Sequence, residues 1–239
     1  MSKVRNQIEY LLYADNALFT DPTTKIGGEK MTYQIPTISA LIGITESIYW
    51  KPSINWVIDE VKIVNKISMK MKAIRPIEYG GGNTLAQYTY LDDVCYAVRA
   101  HFEFNENRPD LKSDFNEHKH HQIALRCVKK GGRRDIFLGT RECQGYVEPC
   151  QFDEVTSYYE GIDLDFSTML HSLSYPSQSG RHQLEALLWE PQMKNGVISC
   201  IPQSACTKRK HVADYALKEF IIGQNMESVE DTFTKLGGD

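Results

Sequence analysis

The sequence lacks any apolar run approaching the ~20 residues that a bilayer span requires, and its opening residues, MSKVRNQIEY, hold no apolar stretch of signal-peptide length. A dedicated membrane protein is therefore disfavoured, and the cytoplasm is the expected compartment. A surplus of positive charge is missing as well. Lys and Arg total 27 against 31 Asp and Glu, a net charge of -4, which excludes a uniformly basic nucleic-acid coat but permits a local basic face. The six cysteines form no CxxC pair and no short regular framework, so free, mostly buried thiols are expected. HExxH, a Walker loop, a dinucleotide fingerprint and GxSxG are all absent, and no period of 20–50 residues repeats. What remains is a globular composition of 41% apolar and 24% charged residues over 239 positions, enough for one large domain or two modest ones.

Val4 to Tyr13 is rich in β-branched, aromatic and leucine side chains and predicts a buried strand. After a glycine-containing loop, Thr37 or Ser39 can cap a helix on which Leu41, Ile44 and Ile48 recur at helical spacing and which Pro52 stops. Trp56, Ile58, Val61 and Ile63 mark a β-prone segment whose step from Ile58 to Val61 breaks strict alternation. In the clearest strand, Val94, Tyr96, Val98, Ala100, Phe102 and Phe104 share one face, with Arg99, His101 and Glu103 on the other. Asp114 and Glu117 have capping-box-like spacing before a helix running to about Lys130, with Ile123, Ala124, Cys127 and Val128 inward and Gly131 and Gly132 as its terminator. Ile136 to Leu138 and a piece near Tyr146 return to the sheet.

The order strand, helix, strand, strand, helix, strand is the ferredoxin-like split arrangement, with an excursion at 65–93. Beyond Cys150, the turn-like FDEVTSYYEGIDLD and YPSQSG separate short β-prone pieces. The expected fold is α+β: an N-terminal ferredoxin-like (RRM-like) domain over 1–149 and a C-terminal strand-rich antiparallel β domain over 150–239. A weakly helical tail from about Asn225 is expected to be peripheral.

Charge is unevenly spread. Lys119 to Arg141 carries seven basic residues and one acid, Asp135, whereas Gln151 to Gly180 carries five acids and no Lys or Arg. Lys129, Lys130, Gly131, Gly132, Arg133, Arg134 and Arg141 are accordingly candidates for an RNA backbone, the glycines allowing close approach. A solvated helix end, where lysines suit the dipole, explains part of the same pattern. In NEHKHH, His118, Lys119, His120 and His121 fall in the first turns of the second helix, and imidazole beside ammonium suits acid–base or phosphate chemistry. Packing or solvated histidines are the alternative, and the run lacks the spacing of a zinc site. Tyr49 and Trp50, at the end of the first helix, can simply pack there, or Tyr49 can approach the second helix across their contact. The tyrosines of YGGGNTLAQYTY can stack on bases or simply pack a hairpin.

Several long blocks acquire meaning together: NALFTDPTTKIGGEKMTY, IPTISALIGITESIYWKPSINWVIDEV, RPIEYGGGNTLAQYTYLDDV, AHFEFNENRPDL, NEHKHH and GGRRDIFLGTRECQGYVEPC. In this order, and over nearly the whole chain, they resemble the CRISPR-associated endoribonuclease of the type I-C (Dvulg) system. This is the fifth Cas family in its d subtype, within the repeat-associated mysterious protein (RAMP) superfamily. The resemblance implies metal-independent cleavage of CRISPR repeat RNA at the 3′ base of its hairpin, with no cofactor. The family's catalytic tyrosine, lysine and histidine correspond to Tyr49, Lys119 and His120, whereas relatives vary around His118 and His121. It further implies retention of the mature crRNA, assembly with the large and backbone subunits, target DNA met within that complex, and no membrane. A noncatalytic subunit holding the crRNA 5′ handle is the alternative. One departure is Ala14, where relatives commonly have glycine after the first strand; it bears on the loop or on RNA contact there and removes no catalytic group.

Overall fold

The computed structural model describes residues 6–24, 28–179, 181–214, 223–224 and 227–237. Val4 and Asn225, the expected starts of the first strand and of the tail, lie outside them. Strand β1 (Gln7–Ala17) buries Ile8, Tyr10, Leu12 and Ala14 in strict alternation. It runs past Tyr13, so Ala14 stands within the strand opposite Val94 and not in the loop after it. Gly145 makes room for it on the other side, since a Cβ there would lie 3.3 Å from that of Ala14 and 2.2 Å from the Leu138 side chain.

Helix α1 (Ile38–Ile48) is capped by Thr37, whose hydroxyl accepts from the Ala40 N–H at 3.2 Å; Ser39 takes no part. Leu41, Ile44 and Ile48 face the sheet, and Tyr10 shares a 2.7 Å hydrogen bond with Thr45 in that interface. The broken alternation in β2 (Ile54–Ile63) is a β-bulge. Its register against β4 (Ala86–Phe104) shifts between Ile58 and Glu60, which keeps Trp56, Ile58, Val61 and Ile63 all buried. The 65–93 excursion is more regular than expected: β3 (Met69–Ile74) pairs with the first part of β4, from Met69 with Leu91 to Ile74 with Ala86.

After β4 come α2 (Glu117–Lys129), β5 (Ile136–Phe137) and β6 (Gln144–Pro149). Strands β6, β1, β4 and β2 are neighbours in that order and pair antiparallel, the split β-α-β-β-α-β arrangement. The strand-rich region past Cys150 divides between two sheets. From the β2 edge, β11 (Val197–Ser199), β10 (Gln192–Lys194) and β7 (Leu164–Asp165) extend the first sheet, while β8 (Met169–Ser174), β9 (Gln183–Trp189) and β12 (Lys208–Asp214) form a second. Val229–Lys235 is an exposed helical turn capped by Ser228. The fold is thus α+β with two sheet-rich regions.

On the sheet face away from the helices, Arg99 bonds to Glu9 at 3.1 Å, Glu60 at 2.5 Å and Asp153 at 2.9 Å. Lys62 donates to the carbonyls of Phe152 and Val155 at 2.7 and 2.9 Å. The Phe152 ring is 2% exposed and packs against both cations, so this segment roofs the face. All six cysteines are free, with Cys127, Cys143 and Cys206 buried and the other three half-buried. Among the described residues no helix is long and apolar enough to cross a membrane.

Candidate active site

The end of α1 meets the start of α2 over β2 and β4. Because α1 stops at Ile48, Tyr49 turns to extended backbone; its N–H still reaches the Thr45 carbonyl at 3.0 Å, and its own carbonyl accepts from the Trp56 indole at 2.7 Å. Its phenol is 1% exposed and lies 2.7 Å from His120 Nδ1. His120 is fully buried, set edge-on against Phe102 and Phe104, with Nε2 2.8 Å from the Asp114 carbonyl oxygen. A carbonyl only accepts, so Nε2 carries a proton; in the neutral ring Nδ1 is then an acceptor and the phenol donates to it. Burial above all, with Asp114 and Cys127 adding, raises the Tyr49 pKa, and the Arg133 guanidinium opposes them. The phenol holds its proton at neutral pH.

Asp114 is not the helix cap that its spacing predicts. Asn116, directly before the helix, accepts from the Lys119 N–H at 3.0 Å and satisfies that donor first. Asp114 instead ends a 3-10 turn, accepts from the Ser53 hydroxyl at 2.7 Å and pairs with the Lys119 ammonium. Lys119 and Ser53 hold its carboxyl down to about 2. The Lys119 side chain remains 48% exposed. Asp114 and Ser53 are the site residues that the sequence reading passed over.

At its other end α2 closes in a Schellman turn, Gly131 N–H to Val128 O at 3.0 Å and Gly132 N–H to Cys127 O at 2.9 Å. Gly132 has φ +106°, and a Cβ on it would lie 3.2 Å from the Arg134 carbonyl oxygen and 3.7 Å from Ile48 Cα. The loop can therefore lie against the last turn of α1, where the N–H groups of Arg133 and Arg134 bond to the Ser47 carbonyl at 3.2 Å. That end of α1 is the negative end of its dipole, and it holds two cations. Their side chains are exposed, and with Glu46, Trp50, Lys51 and Pro52 they line a recess of about 210 Å³.

Lys129 and Lys130 are exposed at the far end of α2, ten residues and so about 15 Å along its axis from Lys119 and His120. Arg141 stands apart, in the turn between β5 and β6 beside Glu142, which accepts from the Tyr90 hydroxyl at 3.2 Å. His118 is exposed, and His121 donates from Nε2 to the Gln7 carbonyl at 3.0 Å. Cys143 is 2% exposed with its thiol pushed up by burial, the setting of an inert cysteine. Of the hairpin tyrosines, Tyr79 is fully exposed, while Tyr88 and Tyr90 lie under Lys30 and Lys72 at 5.0 and 5.2 Å. Among the described residues no group of three or more His, Cys, Asp or Glu gathers to hold a metal ion.

Comparison with known proteins bears on the same blocks. The family model described as Cas_Cas5d, CRISPR-associated protein (Cas_Cas5), matches residues 8–201. The CRISPR pre-crRNA endoribonuclease Cas5d of Mannheimia succiniciproducens is 26% identical over 229 residues, covering 82% of this chain and 96% of that protein. A protein of the same name from Thermus thermophilus is 25% identical over 188 residues, covering 74% and 78%. Among solved structures, a CRISPR-associated protein superposes with a TM-score of 0.70 at 35% identity, over 85% of this chain and 96% of that one. A functionally uncharacterized protein from Streptococcus mutans does so with a TM-score of 0.69 at 38% identity and the same coverage. The chain belongs to the Cas5d family of CRISPR-associated proteins.

Proposed function

We propose that the chain processes pre-crRNA, cutting the CRISPR repeat at the 3′ base of its hairpin by metal-independent transesterification at Tyr49, Lys119 and His120. The substrate's 2′-hydroxyl attacks the adjacent phosphorus and the 5′ oxygen departs, leaving a 2′,3′-cyclic phosphate and a 5′-hydroxyl. The observation that carries this reading is the 2.7 Å bond between Tyr49 and His120 Nδ1, made across 71 positions of chain, with Lys119 beside it. Lys119 stabilises the charge that builds on the phosphorane. His120 Nδ1, an acceptor in the neutral ring, takes a proton. A phenol whose pKa is raised is a poor unaided base, which suits Tyr49 to orienting the 2′-hydroxyl or donating to the departing oxygen. Both rings are covered in the free chain, so arriving RNA has to part the phenol from the imidazole, and exposed Lys119 is the group that meets phosphate first.

In this reading residues 1–149 are the RAMP-type ferredoxin-like domain, with 65–93 as its insertion, and 150–239 a second, β-rich domain. The product stays bound by its 5′ handle in a cytoplasmic type I-C complex with the large and backbone subunits, where target DNA is met. The mutual coverage of Tyr49 and His120 favours the second reading, a noncatalytic subunit that only holds the handle. The two separate on cleavage of the organism's own repeat with end-group analysis. The expected products carry the cyclic phosphate and 5′-hydroxyl in EDTA, and one 2′-deoxy nucleotide upstream of the cut abolishes cleavage while binding persists. Cutting of that deoxy substrate, or loss in EDTA with rescue by a defined metal, overturns the mechanism. Tight binding without a cut at equimolar protein selects the handle-holding role.

A further inference from the structure

Beside the catalytic candidates, the recess at the end of α1 has a composition that their chemistry does not use. Trp50 follows Tyr49 directly, yet where the phenol is buried the indole is 43% exposed. An exposed tryptophan on a rigid helix end is a stacking platform. Arg133 donates to the Trp50 carbonyl at 3.5 Å, and both arginines, held by their backbone bonds to α1, line the recess together with Trp50. Glu46 lines the same recess; it is half-buried, and burial raises its carboxyl pKa while the Arg134 guanidinium opposes that rise. Glu46 also lines the larger cleft, about 470 Å³, between α1, β2 and β8.

We propose that this recess is a nucleotide subsite of the RNA-binding surface, in which Trp50 stacks on a base, Arg133 and Arg134 hold its phosphate, and Glu46 reads a guanine. Two carboxylate oxygens accept side by side, and guanine is the base whose Watson–Crick edge presents two adjacent donors, N1–H and the N2 amino group. Cytosine and adenine offer the carboxylate one amino group each, and uracil one imino N–H. The subsite rests on the proposed processing role, because the contact of Trp50 and Arg133 with the end of α1 sets it next to Tyr49. A nucleotide held here flanks the scissile linkage.

The test uses the full chain and its own repeat RNA made uncleavable by one 2′-deoxy nucleotide, so affinity is read without cleavage. Trp50→Ala is expected to weaken binding about tenfold or more, and Trp50→Phe to restore most of it, as base stacking on an aromatic ring predicts. Replacing the flanking guanines one at a time by inosine, which lacks the N2 amino group, is expected to weaken wild type about fivefold or more at one position and Glu46→Gln much less there. Unchanged affinity in Trp50→Ala, with circular dichroism confirming its fold, overturns the stacking role. An inosine penalty that persists in Glu46→Gln, or none at any position in wild type, overturns the guanine reading. Wild-type cleavage of ordinary repeat RNA with unchanged affinity in all three variants removes the subsite and leaves processing intact; the expected affinities with no cleavage do the reverse.

Discussion

The two faces of the first sheet treat charge in opposite ways. Away from the helices, Arg99 is met by three carboxylates, Lys62 by two carbonyls and His101 by Asp59 at 2.8 Å, all beneath or beside the Phe152 segment. On the helix side, Lys119 shares Asp114 with Ser53 and His120, and the arginine side chains of the glycine loop are exposed. Where charges are matched internally the surface is scaffold, and an anion is drawn to the side where cations stay uncovered. The contrast also separates this chain from RRM domains that stack bases on an open sheet, since here the corresponding face is roofed.

The sharpest way to break this comparison is His120→Ala. It should lower the single-turnover rate about a thousandfold with repeat affinity nearly kept; an equal loss of affinity, or an unchanged rate, would make the helix side scaffold as well. Next in size, Phe152→Ala should cost about 3 kcal/mol in urea unfolding through lost packing, with the rate per folded molecule unchanged. A large rate defect at full folding would place the roofed face in the reaction.

The smallest effects should separate the faces by the sign of their pH response. Asp114, held to about 2 against an ordinary value of about 3.9, contributes stability that is complete above the unfolded value and lost as pH falls through about 2. The hydrogen bond that His101 donates to Asp59 raises the His101 pKa, so its contribution is complete below the ordinary histidine range and lost as pH rises through the elevated value. Relative to wild type, Asp114→Asn should therefore converge in urea midpoint on acidification and His101→Gln on going alkaline, each by at most about 1 kcal/mol after solvent screening. Convergence in the same direction would remove the distinction.

The parts of the fold legible in the sequence were those whose signals are local. Alternation marked the buried face of β4, and Gly131 and Gly132 marked the end of α2, while the broken alternation from Ile58 to Val61 showed an irregularity that only the pairing identifies as a bulge. The spacing of Asp114 is ambiguous because aspartate and asparagine both cap helices and two candidates stand two residues apart; in the fold Asn116 takes the Lys119 donor and frees Asp114 for the site. The sharing of the later strands between two sheets depends on pairings such as Ile198 with Val61, far apart in sequence, which no periodicity encodes. The approach of Tyr49 to His120 was expected from helix contact and family resemblance, but the burial of both rings was not.

The bond from the Trp56 indole to the Tyr49 carbonyl bolts the main chain of the tyrosine to the sheet. With that anchor set, the freedom left to the residue is torsional: its ring can pivot, while its backbone cannot travel without breaking the bond of a buried donor. Under the proposed function, admission of a substrate then asks for one rotation of the Tyr49 side chain about a fixed main chain.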